Sequence, residues 1–306
     1  MRFSIFQDSR KGARRNNQDR VGYCYTREAL LMVIADGMGG HLHGEVASQI
    51  AVQFLTEAFQ REAKPNLADP FQFLQKGTTA AHHTLVDYAR ARGLQESPRT
   101  TCVACIVQDS VAYWAHVGDS RLYHVRDGRI HAQTKDHSRV QILVDQGRIR
   151  EEAVASHPER NKIFNCLGGI NPPQVELSRK TLLQQGDTLI LCSDGLWGPL
   201  SARLVTEALV KNDIMKAMPR LLDDAEQRAG DECDNLSVVA MTWQEGRPGK
   251  GAGEVATQTL ELDAFTAQLE DFGRSQSDPT DLSDEEIERA IEEIRTAIRK
   301  HTQQKP

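Results

Sequence analysis

The stretch Val33–Glu45, VIADGMGGHLHGE, ends an apolar run with an acid, Asp36, and sets Gly37, Gly39, Gly40, His41 and His43 immediately behind it. An Asp-Gly pair is in the first place a turn dipeptide. What lies on either side points further. LLMVIAD at 30–36 is nearly continuous in apolar residues, the pattern of a strand covered on both faces. GEVASQIAVQFLTEAFQREA then places Val46, Ile50, Phe54 and Phe59 near helical spacing, and a second helical stretch, FQFLQKGTTAAHHTLVDYARAR, follows Pro70.

Upstream, FSIF and VGYCYT read as short strands around the basic loop KGARRNNQDR. Downstream come three strands (TTCVACIV, VAYWAHVG and RLYHVRDGRI), with Asp127-Gly128 as a turn in the last. From Lys135 to Gly169 the pattern is irregular and helical, beginning with HSRVQILVDQGRI. Strands resume at PQVELSRKTLL and DTLILCSD; two helical stretches follow (SARLVTEALV and roughly 213–229), then the strand NLSVVAMTW. Strands in antiparallel runs and helices in pairs exclude the alternation of a parallel α/β fold. The expected class is α+β: two antiparallel sheets packed together, with helix pairs outside.

Composition narrows the function. With 39% hydrophobic and 26% charged residues the chain has ordinary globular composition and enough apolar material for a sizeable core. A net charge of -6 argues against a nucleic-acid partner, whose binding would rest on clustered Lys and Arg. No apolar stretch approaches the ~20 residues of a membrane span, and the N-terminal sequence lacks a signal-peptide core, so a cytoplasmic location is expected. Cysteines stand at 24, 102, 105, 166, 192 and 233; only Cys102 and Cys105 form a C-x-x-C, within a strand-like apolar run, so buried thiols are expected rather than zinc.

The Asp36 arrangement recurs. LILCSDGLWG ends a strand at Asp194, YWAHVGDSR ends another at Asp119, Asp19 lies in RRNNQDR, and Asp234 directly precedes the last strand in ECDNLSVV. Several acids at strand-to-loop transitions suggest loops converging on one acidic pocket. Gathered carboxylates repel and must be protonated or bridged by cations. Oxygen ligands select hard ions, Mg2+, Mn2+ or Ca2+. Two such ions ~3.5–4 Å apart would clamp a phosphoryl group. At Gly37 the backbone could approach a metal where a β-carbon would crowd the site.

The ordered set RRNNQD, VIADGMGGHxxGE, AHVGDSRLY, CSDGLW and DNLSVV resembles the metal-dependent protein serine/threonine phosphatases, the type 2C family, in its bacterial form. The resemblance covers roughly residues 3–243. It implies a four-layer α-β-β-α sandwich with a dinuclear Mn2+ or Mg2+ centre at one end, and hydrolysis of phosphoserine and phosphothreonine in proteins by a metal-bridging hydroxide, opposing a cognate Ser/Thr kinase. By position, Asp36 would bridge both ions, Gly37 would ligate through its carbonyl, and Asp194 and Asp234 would bind one ion. Asp19 would hold water from behind the ligands, and Asp119 matches the acid of a third, weaker ion. Arg14 matches the phosphate-binding arginine, with Arg15 the alternative.

Gln18 departs from the pattern, standing where many members have Glu. His41 matches the bacterial loop histidine, a candidate proton donor to the serine leaving group; His43 is read as structural or solvent-facing. Residues 137–169 match the family's flap. Two rivals stand beside this reading: a dinuclear phosphoesterase for small phosphate esters, and a catalytically silent binding module of the same fold. Comparing phosphopeptide with nucleotide turnover separates the first, and the acidic residue at every ligand position argues against the second.

The expected catalytic domain spans 1–245. Residues 246–259 read as a flexible Gly/Pro/Lys linker and 260–306 as a helical C-terminal extension. Within the extension Ser283 and Glu286 form a capping box, and Ile287, Ile291, Ile294 and Ile298 make an apolar seam. That seam is expected to dock on the catalytic domain, to dimerise or to bind a partner.

Overall fold

Apolar residues on both faces of a strand need a cover on each side, and the strands of this chain receive it from a second sheet and from helices. The computed structural model describes residues 1–38, 43–154 and 157–244. One sheet is built from β1 (Phe3–Arg10), β6 (Arg121–Arg126), β7 (Arg129–Gln133), β10 (Thr188–Cys192) and β11 (Leu236–Trp243), in the order β1-β11-β10-β6-β7. The other holds β2 (Asp19–Tyr25), β3 (Ala29–Asp36), β4 (Cys102–Gln108), β5 (Val111–Val117) and β8 (Glu176–Leu177) in that order, with β9 (Thr181–Leu182) also on β5. Every pairing is antiparallel.

The two-residue period of a strand divides each apolar run between two cores. In β3, Leu30, Met32 and Ile34 pack between the sheets. Leu31, Val33 and Ala35 turn outward to the helix pair α1 (Gly44–Glu62) and α2 (Pro70–Arg92). In β11, Val239, Met241 and Trp243 face the other sheet. Val238 and Ala240 face the second helix pair, α5 (Ala202–Lys211) and α6 (Ile214–Ala229). The four layers expected from the sequence are therefore present, and the near-continuous hydrophobicity of LLMVIAD is a consequence of burial on both faces.

Local chemistry sets the element ends. Asp69 caps α2, accepting from the Gln72 N–H at 3.0 Å, with Pro70 in the first turn, where a missing N–H costs nothing. Asp127 and Gly128 both have positive φ (51° and 70°) and close the β6–β7 hairpin, as expected of that Asp-Gly pair. Cys24, Cys102, Cys105, Cys192 and Cys233 are buried free thiols; Cys166 is partly buried. The PQVELSRKTLL stretch yields only the two short strands β8 and β9, both paired antiparallel along β5. Between β7 and β8 lie α3 (Arg139–Asp145) and a single 3-10 turn, in the region expected to form the flap. His41, the linker and the C-terminal extension lie outside the described residues. No helix among the described residues is long and apolar enough to cross a membrane.

Candidate active site

β2 and β3 run antiparallel in a register that sets Asp19 directly opposite Asp36 at one end of their sheet. The main chain of Asp36 is held by two consecutive threonines. Its N–H donates to Thr101 Oγ1 at 3.0 Å, and its carbonyl accepts from the Thr101 N–H at 2.9 Å and from Thr100 Oγ1 at 2.8 Å. Asp194, at the start of α4 (Asp194–Trp197), and Asp234, just before β11, come from the other sheet. Asp119 sits on the turn between β5 and β6 and is buried. The structure thus brings all five aspartates to one end of the sandwich, from both sheets.

Two close backbone approaches make this possible. A β-carbon on Gly37 would stand 2.2 Å from the Gly44 carbonyl oxygen and 2.7 Å from that of Gln18. A β-carbon on Gly195 would stand 2.1 Å from the Asn235 carbonyl oxygen. Each glycine of an Asp-Gly pair therefore lets its loop lie directly on a neighbouring loop, bringing Asp36 against the start of α1 and Asp194 against Asp234. The crowding at Gly37 comes from protein backbone, a stronger constraint than the one anticipated from the sequence.

The electrostatics are those of an overfilled acid cluster. Loss of solvent, followed by repulsion from Asp19, Asp194, Asp119 and Asp234, raises the Asp36 carboxyl well above the usual range. Asp194 rises to about 7 through burial and then the charges of Asp234 and Asp19, offset in part by Arg14 and Arg160. Both side chains keep some accessible surface, so water relieves part of the cost of burial and screens part of the repulsion. Asp19, 1% exposed, rises to about 6, mainly because it is buried. One of its oxygens accepts from Ser193 Oγ at 2.7 Å, while Oδ1 is buried with no hydrogen-bond partner. Burial, then Asp194 and Asp136, also raises Asp119.

An orphaned buried carboxylate oxygen among four further acids is the arrangement that divalent cations satisfy. All the side-chain donors are oxygens, which suits Mn2+ or Mg2+. Among the described residues, the trio whose ligand atoms all lie within 4.8 Å of one another is a different one, His116, His137 and Glu176.

Arg14, matched by position to a phosphate-binding arginine, reaches the cluster through an acid. Its Nε and Nη2 form a fork on Asp234, at 2.8 and 2.6 Å, and that pairing holds the guanidinium more firmly charged. Gln18 turns its amide to Glu45 at 3.1 Å, where a glutamate would set two like charges together. His43 has a left-handed backbone (φ 71°) ahead of α1, with Nδ1 3.9 Å from Glu45.

Sequence reasoning missed Asn235 and Arg160. Asn235 accepts from the Gln18 N–H at 2.8 Å and donates to the Lys11 and Asn16 carbonyls at 2.8 and 3.0 Å, so it folds the basic loop over the site. Its signal was available, an amide directly following an acid at a strand start. Arg160 lies far along the chain, and only folding brings its charge near Asp194.

An aspartate-lined, oxygen-only centre at one end of a helix-flanked double sheet places this chain among the sandwich proteins that hold hard divalent ions at strand ends. The chain belongs to the protein phosphatase 2C family, whose profile matches residues 7–232. It is 35% identical over 226 residues to the serine/threonine protein phosphatase PstP of Mycobacterium tuberculosis, a match covering 74% of this chain but only 42% of that protein. To the serine/threonine phosphatase stp of Listeria innocua it is 33% identical over 253 residues, covering 79% of this chain and 97% of the relative. A crystal structure of the PstP catalytic domain in complex with two manganese ions superposes with a TM-score of 0.67 at 32% identity, covering 79% of this chain and 99% of that one.

Proposed function

We propose that this protein hydrolyses phosphoserine and phosphothreonine in proteins, opposing a Ser/Thr kinase, by direct transfer of the phosphoryl group to water at a dinuclear centre. Asp36, Asp194 and Asp234 would hold the ions with the Gly37 carbonyl, and Asp119 a third. Divalent ions on these oxygens supply Lewis acidity, lowering the pKa of water and neutralising the phosphoryl oxygens.

The protein's own groups supply the remainder. Asp19, with Oδ2 held by Ser193 and Oδ1 unpartnered, would accept a hydrogen bond from an attacking water and so orient it. Arg14 presents a planar fork that matches two phosphate oxygens as well as it matches the Asp234 carboxylate. His41 would protonate the departing serine or threonine oxygen.

The observation that carries this reading is the buried, unpartnered Oδ1 of Asp19 next to Asp36, whose carboxyl also feels the charges of Asp119, Asp194 and Asp234. It is tested with the full chain on phosphopeptides and on nucleotides, with Mn2+ and then with EDTA. Turnover is expected on phosphopeptides, abolished by EDTA and by Asp36→Asn. Near-normal turnover and metal dependence in Asp36→Asn would refute the dinuclear assignment, and preference for nucleotides would refute the substrate class.

A further inference from the structure

Asp119 stands on the turn Gly118–Ser120, and neighbouring segments grip that turn from three sides. Ser120 Oγ shares a hydrogen bond of 2.7 Å with Thr101 Oγ1, and Trp197 Nε1 donates to the Asp119 carbonyl at 3.0 Å. The third grip is reciprocal and comes from His137, a buried residue at the entry to the flap segment. The His137 N–H donates to the Gly118 carbonyl at 2.9 Å, and the Gly118 N–H donates to His137 Nδ1 at 3.1 Å.

His137 also holds the far end of the same segment. Its carbonyl accepts from the Phe164 N–H at 3.0 Å, and its Nδ1 lies 2.8 Å from Asn165 Nδ2. Gln174 fixes the orientation of that amide, donating its N–H to Asn165 Oδ1 at 3.0 Å and accepting from Nδ2 at 2.7 Å. Both neighbours of Nδ1 are therefore donors. The proton of the neutral ring must sit on Nε2, which faces Glu176 Oε2 at 3.3 Å.

That assignment decides what the cluster is for. His116 stacks on His137 with ring centroids 4.6 Å apart and, with Glu176, completes a trio of metal-ligand spacing. A metal on His137 Nε2 needs a lone pair there, so the ring proton would move to Nδ1 and point at the Gly118 N–H and the Asn165 amide. Two buried donors would then face a third. His116 fits a metal better, because its Nε2 is engaged by the Lys135 carbonyl at 2.7 Å and Nδ1 is left for a ligand, but one histidine and an exposed glutamate do not close a site.

We propose instead that His137 is a positioning residue, whose imidazole accepts the Gly118 amide and so locks the Asp119 turn to both ends of the flap segment. Flap stem and Asp119 then move as one unit, and a shift at the stem is delivered to Asp119 through one peptide group. The functional consequence rests on the role given to Asp119 above; the clamp itself does not.

The test compares His137→Ala, His137→Asn and Glu176→Gln with the parent chain. Asparagine keeps an acceptor near the position of Nδ1, whereas alanine leaves the Gly118 amide buried and unpaired. Ring 15N spectra of the parent chain should show His137 protonated on Nε2 and unmoved by added Zn2+; protonation on Nδ1, or a Zn2+-induced shift, would overturn the clamp in favour of a metal site. Trypsin should cut His137→Ala after Arg148 and Arg150 about tenfold faster than the parent, the size expected for one unpaired buried amide, and His137→Asn should recover most of the difference. Equal cutting of the alanine and parent chains, or no recovery with asparagine, would overturn the proposal.

Half-maximal hydrolysis by His137→Ala should need several-fold more Mn2+, with Glu176→Gln close to the parent; an unchanged Mn2+ requirement would overturn the link to Asp119. Asp119→Asn separates the two layers of the argument. Parent-like Mn2+ dependence in that variant would refute the role of Asp119 in hydrolysis, while the spectra and the trypsin rates would still decide the clamp.

Discussion

Replacing Asp194 by Asn should stabilise the metal-free protein at alkaline pH, although the same change is expected to destroy its activity. Asp194 makes its main-chain contact through the carbonyl, which accepts from the Gly198 N–H at 2.7 Å and is untouched by the substitution. Its carboxyl rises from an ordinary 3.8 to about 7, by burial and by the charges of Asp234 and Asp19. A folded-state pKa above the unfolded one means that folding takes up a proton. The associated stability is complete below about pH 4 and is lost as pH rises to about 7. At ~1.4 kcal/mol per pH unit the loss is at most ~4 kcal/mol. Residual solvent access and the sharing of charge with Asp19 and Asp234 reduce it to about 2 kcal/mol.

Asparagine carries no charge and escapes this loss. In EDTA, calorimetry should find Asp194→Asn more stable than the parent by about 2 kcal/mol at pH 8, or roughly 4–8 °C in Tm, and no different near pH 4. Mn2+ should then reverse the order at pH 8 by raising the Tm of the parent far more than that of the variant. A variant that in EDTA at pH 8 is no more stable than the parent would show that the acids do not repel as described, and the case for cations in their midst would lose its physical basis.

Other outcomes follow from the same geometry. Arg14→Ala should raise KM for phosphopeptides roughly 10- to 100-fold with a smaller change in kcat, the size of one charge-assisted hydrogen-bond pair; an unchanged KM would move phosphate binding to Arg15 or elsewhere. His41→Ala should slow phosphoserine substrates by a factor on the order of 10² or more while barely affecting p-nitrophenyl phosphate, whose leaving group needs no proton; equal losses on both would make His41 structural. A chain ending after Glu245 should fold and keep Mn2+-dependent hydrolysis, since β11 is complete at Trp243 and the Gln244 N–H already donates to the Arg2 carbonyl at 3.1 Å. Light scattering on both lengths would show whether residues 260–306 dimerise the protein, and failure of the shorter chain to fold would place them in its core.

The sequence by itself determined the layers and the chemical type of the site. LLMVIAD and NLSVVAMTW are apolar on both faces, and a strand of that kind is stable only between two covers, so a helix-flanked double sheet could be inferred without coordinates. Five aspartates at strand ends pointed to a hard-cation site, because gathered carboxylates must be either protonated or bridged by cations. Those signals are local: each is carried by a few adjacent residues and their periodicity.

Only the tertiary structure decided which groups touch. That Asp19 stands opposite Asp36, that Arg14 forks onto Asp234, and that Gln18 meets Glu45 depend on strand register and on loops crossing from one sheet to the other. Gly37 and Gly195 could be suspected from their Asp-Gly pairs, but the backbones that exclude a β-carbon there, Gly44 and Asn235, are remote or unremarked in sequence. His137 carried no legible signal at all. Its importance lies in which ring nitrogen faces the Gly118 amide, and a histidine's tautomer is set by the donors and acceptors that folding places around it.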